Sequence, residues 1–151
     1  MDLPTEAFLE KLLELRTTKD SETGCWLWKG NLSKSGYAQH SFRNGAKTYS
    51  RRMHIVTYLI YIGDIESEQL HHTCEIRRCV NPYHLEDTTA QINTRLARGW
   101  KLDEQGNWHC KRDHLLVGEG LFRTKSGHAR CRRCYNLAVN SSKKGISLKQ
   151  V

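Results

Sequence analysis

Residues 71–93 read HHTCEIRRCVNPYHLEDTTAQIN and hold three histidines and two cysteines. Cys74, Cys79 and His84 follow a C-x4-C-x4-H spacing, which offers two thiolates and an imidazole to one zinc ion within eleven residues. Cys25 could close that tetrahedron from upstream. A second set stands further along the chain, as Cys110-x3-His114 and Cys131-x2-Cys134 with sixteen residues between the pairs. Four protein ligands leave no open position, so this set predicts a closed structural zinc site. Together the two sets use all six cysteines, three thiolates and one imidazole to each. Between the pairs of the second set the main apolar residues are Leu115, Leu116, Val117, Leu121 and Phe122. That is little for a core, so metal binding would supply most of the folding energy there.

Histidine in excess of the ligands is where other chemistry could reside. His72 precedes Cys74 by two residues, so on an extended strand both side chains share a face while His71 takes the other. Held near a metal yet not needed as a ligand, His72 could take a proton from water, since an imidazole titrates near neutrality. His40, His54, His71, His109 and His128 stay unassigned.

These residues need elements to carry them. Thr5 to Arg16 reads as a helix started by Pro4, with Phe8, Leu9, Leu12, Leu13 and Leu15 as a broad apolar stripe. TTKDSETG reads as a polar linker. Trp26-Leu27-Trp28, Gly36-Tyr37-Ala38 and the pair Asn44-Gly45 predict short antiparallel strands around an NG hairpin turn. RRMHIVTYLIYI, residues 51–62, suits a buried helix ended by Gly63, although its β-branched residues leave a strand open. Thr88 or Thr89 can cap a further helix through Asn93 to about Arg98, with Gly99 as its stop. WKLDEQGNW reads as a linker into a module at 108–140 that closes with the helical CRRCYNLAV. The expected organisation is an N-terminal helix (1–20), a core with the first zinc set (21–100), the second zinc module (108–140) and a flexible basic tail (141–151), in the α+β class.

Charge narrows the partner. The formal net charge is +8, and from His109 onward ten Lys/Arg face only Asp113 and Glu119. Residues 1–108 are therefore close to neutral and one basic end points to nucleic acid. A hydrophobic content of 38% and a mean hydropathy of -0.68 predict a thin core in need of metal. No run of about twenty apolar residues exists to span a bilayer, and MDLPTEAFLEKLL has no basic start and apolar stretch of a secretion signal. A cytoplasmic location is expected, the host cytoplasm if phage-encoded, where reduced cysteines serve as ligands rather than disulfides.

The order His72, Cys74, Cys79, Asn81, Pro82, His84, Leu85, then Asn93 nine residues after His84, resembles the His-Cys box homing endonucleases. More widely it is similar to phage and bacterial HNH endonucleases with a ββα-metal (His-Me finger) site. The upstream GCWLWKG, GY, NG and RRMH elements resemble the front half of small phage HNH proteins, so the likeness covers about residues 24–98. The second zinc module is similar to a motif appended to some phage members. The resemblance implies a metal-dependent endonuclease that hydrolyses phosphodiester bonds of double-stranded DNA in a homing-type role. His72 would be the general base and Asn93 the protein ligand of one Mg²⁺. Zinc on Cys25, Cys74, Cys79 and His84 would only brace the site. Many HNH enzymes carry an aspartate before the base; this chain has His71, a possible ligand or phosphate contact in its place.

Several basic residues are candidates to hold DNA. Arg51 or Arg52, and then Arg95, could clamp the scissile phosphate, with Arg77, Arg78, Arg98, Arg132 and Arg133 as further DNA contacts. The hairpin around Arg43-Asn44-Gly45 and the DNA-binding candidate Lys47 could enter a major groove, with Gln39, His40, Ser41 and Arg43 toward bases. Double-strand cutting with one site per chain would call for a homodimer. The alternative expectation is a zinc-stabilised DNA-binding protein without catalysis.

Overall fold

The structure is a computed structural model, and it describes residues 3–143. Of the basic tail expected at 141–151, residues 144–151 lie outside the described residues and 141–143 complete the last helix.

Thr5 caps α1 (Glu6–Arg16), its hydroxyl accepting from the Phe8 N–H. Leu9 and Leu13, four apart and so on one face, are buried, whereas Phe8 and Leu15 are exposed. The buried stripe is narrower than the sequence reading, because α1 packs along one side only. β1 (Thr17–Lys19) pairs antiparallel with β2 (Trp26–Trp28), so the expected linker is a strand and a turn. Asp20 makes the turn, its carboxylate accepting from the Glu22 and Thr23 N–H groups.

β3 (Gln39–Asn44) and β4 (Lys47–Arg52) form a six-residue antiparallel hairpin. Its turn residues are Gly45 and Ala46, one position beyond the expected NG pair, with Gly45 at φ 58° and Asn44 paired to Lys47. Gly36-Tyr37-Ala38 gives no strand, only a bridge from Ala38 to Leu32. α2 (Met53–Tyr61) is the helix that the apolar run favoured, and Gly63 at φ 133° follows its end. Leu9, Leu13, Trp28, Ala38, Phe42, Met53, Val56 and Val80 form the main core.

β5 (Gln69–His72) pairs antiparallel with β6 (Leu85–Thr88), His71 opposite Glu86 and His72 opposite Leu85. A short 3-10 turn at Pro82–His84 leads into β6, and α3 (Ala90–Leu96) follows it. The Thr89 hydroxyl caps α3 by accepting from the Ile92 N–H. Tyr58, Leu70 and Leu85 pack together and tie this second hairpin to α2.

The chain divides into two compact units, Met1–Asn93 and Thr94–Val151. The second unit holds two small hairpins and a helix: β7 (Lys101–Leu102) with β8 (Trp108–His109), β9 (Leu121–Arg123) with β10 (Ala129–Cys131), then α4 (Arg132–Lys143). The stretch read as a linker from Trp100 to Trp108 is thus structured and belongs to this unit. Asp103 organises it by accepting from the Gln105 and Asn107 N–H groups and pairing with His109 Nε2 at 3.0 Å. Trp100, Leu116, Cys110 and Cys131 make its core. The architecture is a mixed α+β one of two-stranded hairpins and short helices.

Leu9 and Met53 are fully buried, so alanine at either should cost about 2–5 kcal/mol in urea unfolding of the zinc-loaded protein. Leu15→Ala, on the exposed side of α1, should change stability by no more than about 0.5 kcal/mol.

Candidate functional site

Three separated segments meet at the first cysteine set. The ligand atoms of Cys25, Cys74, Cys79 and His84 all lie within 4.8 Å of one another. His84 Nδ1 is 3.4 Å from the Cys25 sulfur and 3.7 Å from that of Cys79. Around tetrahedral zinc, sulfur and nitrogen ligands stand about 3.6 Å apart, close to the two His84 distances, so the set could hold the ion. Asn81 brings the segments together: its Nδ2 donates to the Gly24 carbonyl at 2.8 Å while its Oδ1 accepts from the Tyr83 N–H. Gly24 sits at φ +69°, a left-handed conformation that disfavours any residue with a Cβ. Glycine there lets the chain turn into Cys25 beside the imidazole.

Cys110, His114, Cys131 and Cys134 form the second cluster, again within 4.8 Å. His114 Nδ1 lies 3.5, 3.6 and 3.4 Å from the three sulfurs, and the sulfurs of Cys110 and Cys134 are 3.7 Å apart. A tight turn, in which the Asp113 N–H donates to the Cys110 carbonyl, presents the first pair. The end of β10 and the first turn of α4 present the second. Burial pushes the Cys79 and Cys134 thiols up to about 12, reinforced at each by neighbouring cysteines. A dication in each cluster would offset that cost, so metal uptake must release protons.

Beside the first cluster the strand alternation of β5 separates two histidines. His72, 6% exposed, turns inward and bonds the Cys79 carbonyl through Nε2 at 3.1 Å. Its ring meets His54 at 4.9 Å and Tyr37 at 5.8 Å between centroids. Burial lowers its pKa below the ordinary imidazole value. His71 takes the opposite face, where its Nδ1 is 3.2 Å from Asn93 Oδ1. Gln69, two residues earlier on that face, accepts from Asn93 Nδ2 at 2.7 Å through its Oε1, which aims the Asn93 oxygen at His71. The expectation that His72 and Asn93 converge is therefore corrected: Asn93 meets His71, and His72 stands one residue away on the other face.

The arginine pair separates in the same way. Arg51 lies on the inner face of β4 with its guanidinium over Tyr49, and its Nε is buried without a partner. Arg52 packs over Tyr37 and lines a cleft of about 270 Å³ with His54, Gln69 and Asn93. Of the two, Arg52 is the one near the histidines. Sequence reasoning left His54 unassigned; it is buried, with Nδ1 unpartnered. Burial first, then the charges of His72 and Arg52, push its pKa down to about 3. Its only mark in the sequence was a polar residue in the apolar run of α2.

On the first hairpin Gln39, Ser41 and Arg43 share one face, while His40 turns inward against Trp28 and Phe42. His40 thus leaves the expected base-reading set, and Lys47 stands at the exposed tip paired with Asn44. Arg77 donates to the Ser35 carbonyl and stacks over Tyr37; Arg78 is exposed. In the second unit Arg95 packs over Trp108, Arg98 donates to the Ala129 carbonyl and Arg132 to the Glu119 carbonyl. Arg133 is exposed. No helix among the described residues is long and apolar enough to cross a membrane.

Comparison with characterised sequences finds Protein 2.8 of Escherichia phage T7, 28% identical over 103 residues, which covers 64% of this chain and 68% of that protein. No family model matches, and no solved structure matches.

Purified protein should contain two zinc ions per chain by elemental analysis, and Cys79→Ser or Cys134→Ser should each remove one. The depressed His54 pKa gives a pH dependence of known sign. The unfolded chain binds a proton below the ordinary value of 6.5 while the folded state resists it to about 3, so stability is lost as pH falls through that window. His54→Gln should lose less stability than wild type between those pH values, measured by denaturant unfolding in fixed excess zinc.

Proposed function

We propose that this chain is a metal-dependent DNA endonuclease of the HNH, ββα-metal type, with a homing-type role. What carries the reading is the order β5, β6, α3, in which His71 Nδ1 and Asn93 Oδ1 approach to 3.2 Å one residue from His72. Adjacent ligands of an octahedral ion at about 2.1 Å stand about 3.0 Å apart, so the pair would span one edge of such an ion once it displaced the proton that now joins them. An imidazole and an amide bring no negative charge to a cation, so phosphate oxygens of bound DNA would have to complete the binding of the ion. When bound there, Mg²⁺ would stabilise charge on the leaving oxygen.

The chain's own residues supply the rest. The Cys79 carbonyl holds His72 Nε2 as the protonated nitrogen, leaving Nδ1, for which the described residues show no partner, to accept a proton from water. The depressed pKa keeps that imidazole neutral at pH 7. Arg52, which lines a cleft with Gln69 and Asn93, would orient a phosphate. Gln69 fixes the Asn93 amide so that its oxygen is available. The hairpin face of Gln39, Ser41 and Arg43 would lie toward DNA, with Lys47, Arg77 and Arg78 on its backbone.

The burial of His72 and its orientation away from Asn93 favour a second reading, a zinc-stabilised DNA-binding protein without catalysis. Plasmid incubated with Mg²⁺ separates the two. Wild type should cut, and His72→Ala or Asn93→Ala should cut roughly 10²- to 10⁴-fold more slowly. Equal cutting by all three would overturn the roles; DNA binding without cutting by wild type would establish the second reading.

A further inference from the structure

We infer that α4 is a sequence-reading helix for the DNA major groove, with Arg133, Asn136 and Asn140 as its base contacts. The inference rests on the DNA partner proposed above and adds a specificity element in the other unit. α4 is fastened at its start, where Cys134 belongs to the metal cluster, Arg132 donates to the Glu119 carbonyl at 2.8 Å, and the Tyr135 ring meets Phe122 at 5.0 Å. From Tyr135 to Ser142 only Val139 and Ser141 are even partly covered. A fastened start and an uncovered shaft describe a helix held out for a partner.

Charge identifies that partner. From Gly120 to the end the sequence has eight Lys/Arg and no Asp or Glu. Glu119 is the one acidic side chain bordering the cleft beside Arg132, Arg133 and Asn136. Such a field suits a polyanion. Helical spacing of 100° per residue then puts Arg133, Asn136 and Asn140 within a stripe of about 60°, all three exposed. The 12-residue helix is about 18 Å long, and a major groove about 12 Å wide admits it. Arginine reads guanine and asparagine reads adenine through paired hydrogen bonds, so the stripe has the side chains that base edges require. Cys134 and Ser141 lie toward the opposite side, which keeps the metal cluster clear of the groove.

The test is selection of bound sites from a randomised duplex library by the full zinc-loaded chain, wild type against the Asn136→Ala/Asn140→Ala double variant and Arg133→Ala. Zinc content of two per chain verifies folding of each. Wild type should enrich a defined sequence. The variants should discriminate it from mismatched sites roughly 5- to 150-fold less well, while affinity for random duplex changes little. Enrichment of the same sequence with equal discrimination by the variants overturns the inference while the DNA reading stands. Failure of wild type to bind any duplex overturns both. A doubling of mass in light scattering that Leu137→Ala abolishes would make α4 an interface between copies and would also overturn it.

Discussion

Everything in the first unit depends on the convergence of Cys25, Cys74, Cys79 and His84. The four come from the edge of β2, the loop after β5 and the 3-10 turn before β6, segments far apart in the sequence. Four thiol and imidazole groups would be costly to bury without a cation, and burial already holds the Cys79 thiol near 12. A metal ion turns that cost into a tether. Asn81 and Gly24 make the approach possible, one by bridging the two segments and the other by taking the left-handed turn at φ +69° into Cys25. The Cys79 carbonyl then fixes His72, and the β5–β6 pairing sets where α3 begins and so where Asn93 points. The same logic recurs in the second unit, where a knuckle, a hairpin and a helix start bring together four residues that could hold a metal ion beside a small core.

Both ligand sets were legible in the sequence because chelation demands particular side chains at short, regular spacings. The α2 run and the β3–β4 hairpin were legible too, through apolar continuity and turn chemistry. The partner of Asn93 was not. Alternation along β5 places His71 and His72 on opposite faces, but only the docking of α3 decides which face Asn93 meets. The same alternation separates Arg51 from Arg52 and His40 from Ser41, and it could be applied only once the strand register was known. The linkers read at 17–24 and 100–108 failed for another reason. Their polar residues form turns through Asp20 and Asp103, and short strands of two or three residues leave no periodic signal.

The arrangement also divides labour in a way the proposed reading requires. Cysteine-rich clusters prefer zinc, and the half-buried pair His71 and Asn93 offers one nitrogen and one neutral oxygen. The first kind of site is closed and permanent; the second is incomplete until another molecule supplies oxygen ligands. A nuclease built this way would hold its reactive ion only on its substrate. Arg52 and His54 sit at the edge of that incomplete site, one charged and one kept neutral by burial. The basic residues after His109 would meanwhile supply sequence-independent attraction in the second unit.

The most direct measurement is pulsed electron paramagnetic resonance of Mn²⁺ added to the zinc-loaded chain on a duplex with a non-hydrolysable linkage. Mn²⁺ takes the same octahedral oxygen-rich coordination as Mg²⁺. A directly bonded imidazole nitrogen that disappears in His71→Ala, with weakened Mn²⁺ binding in Asn93→Ala, is the expected result. Mn²⁺ that shows no nitrogen coupling, or an identical spectrum in both variants, would mean that this pair of side chains holds no ion.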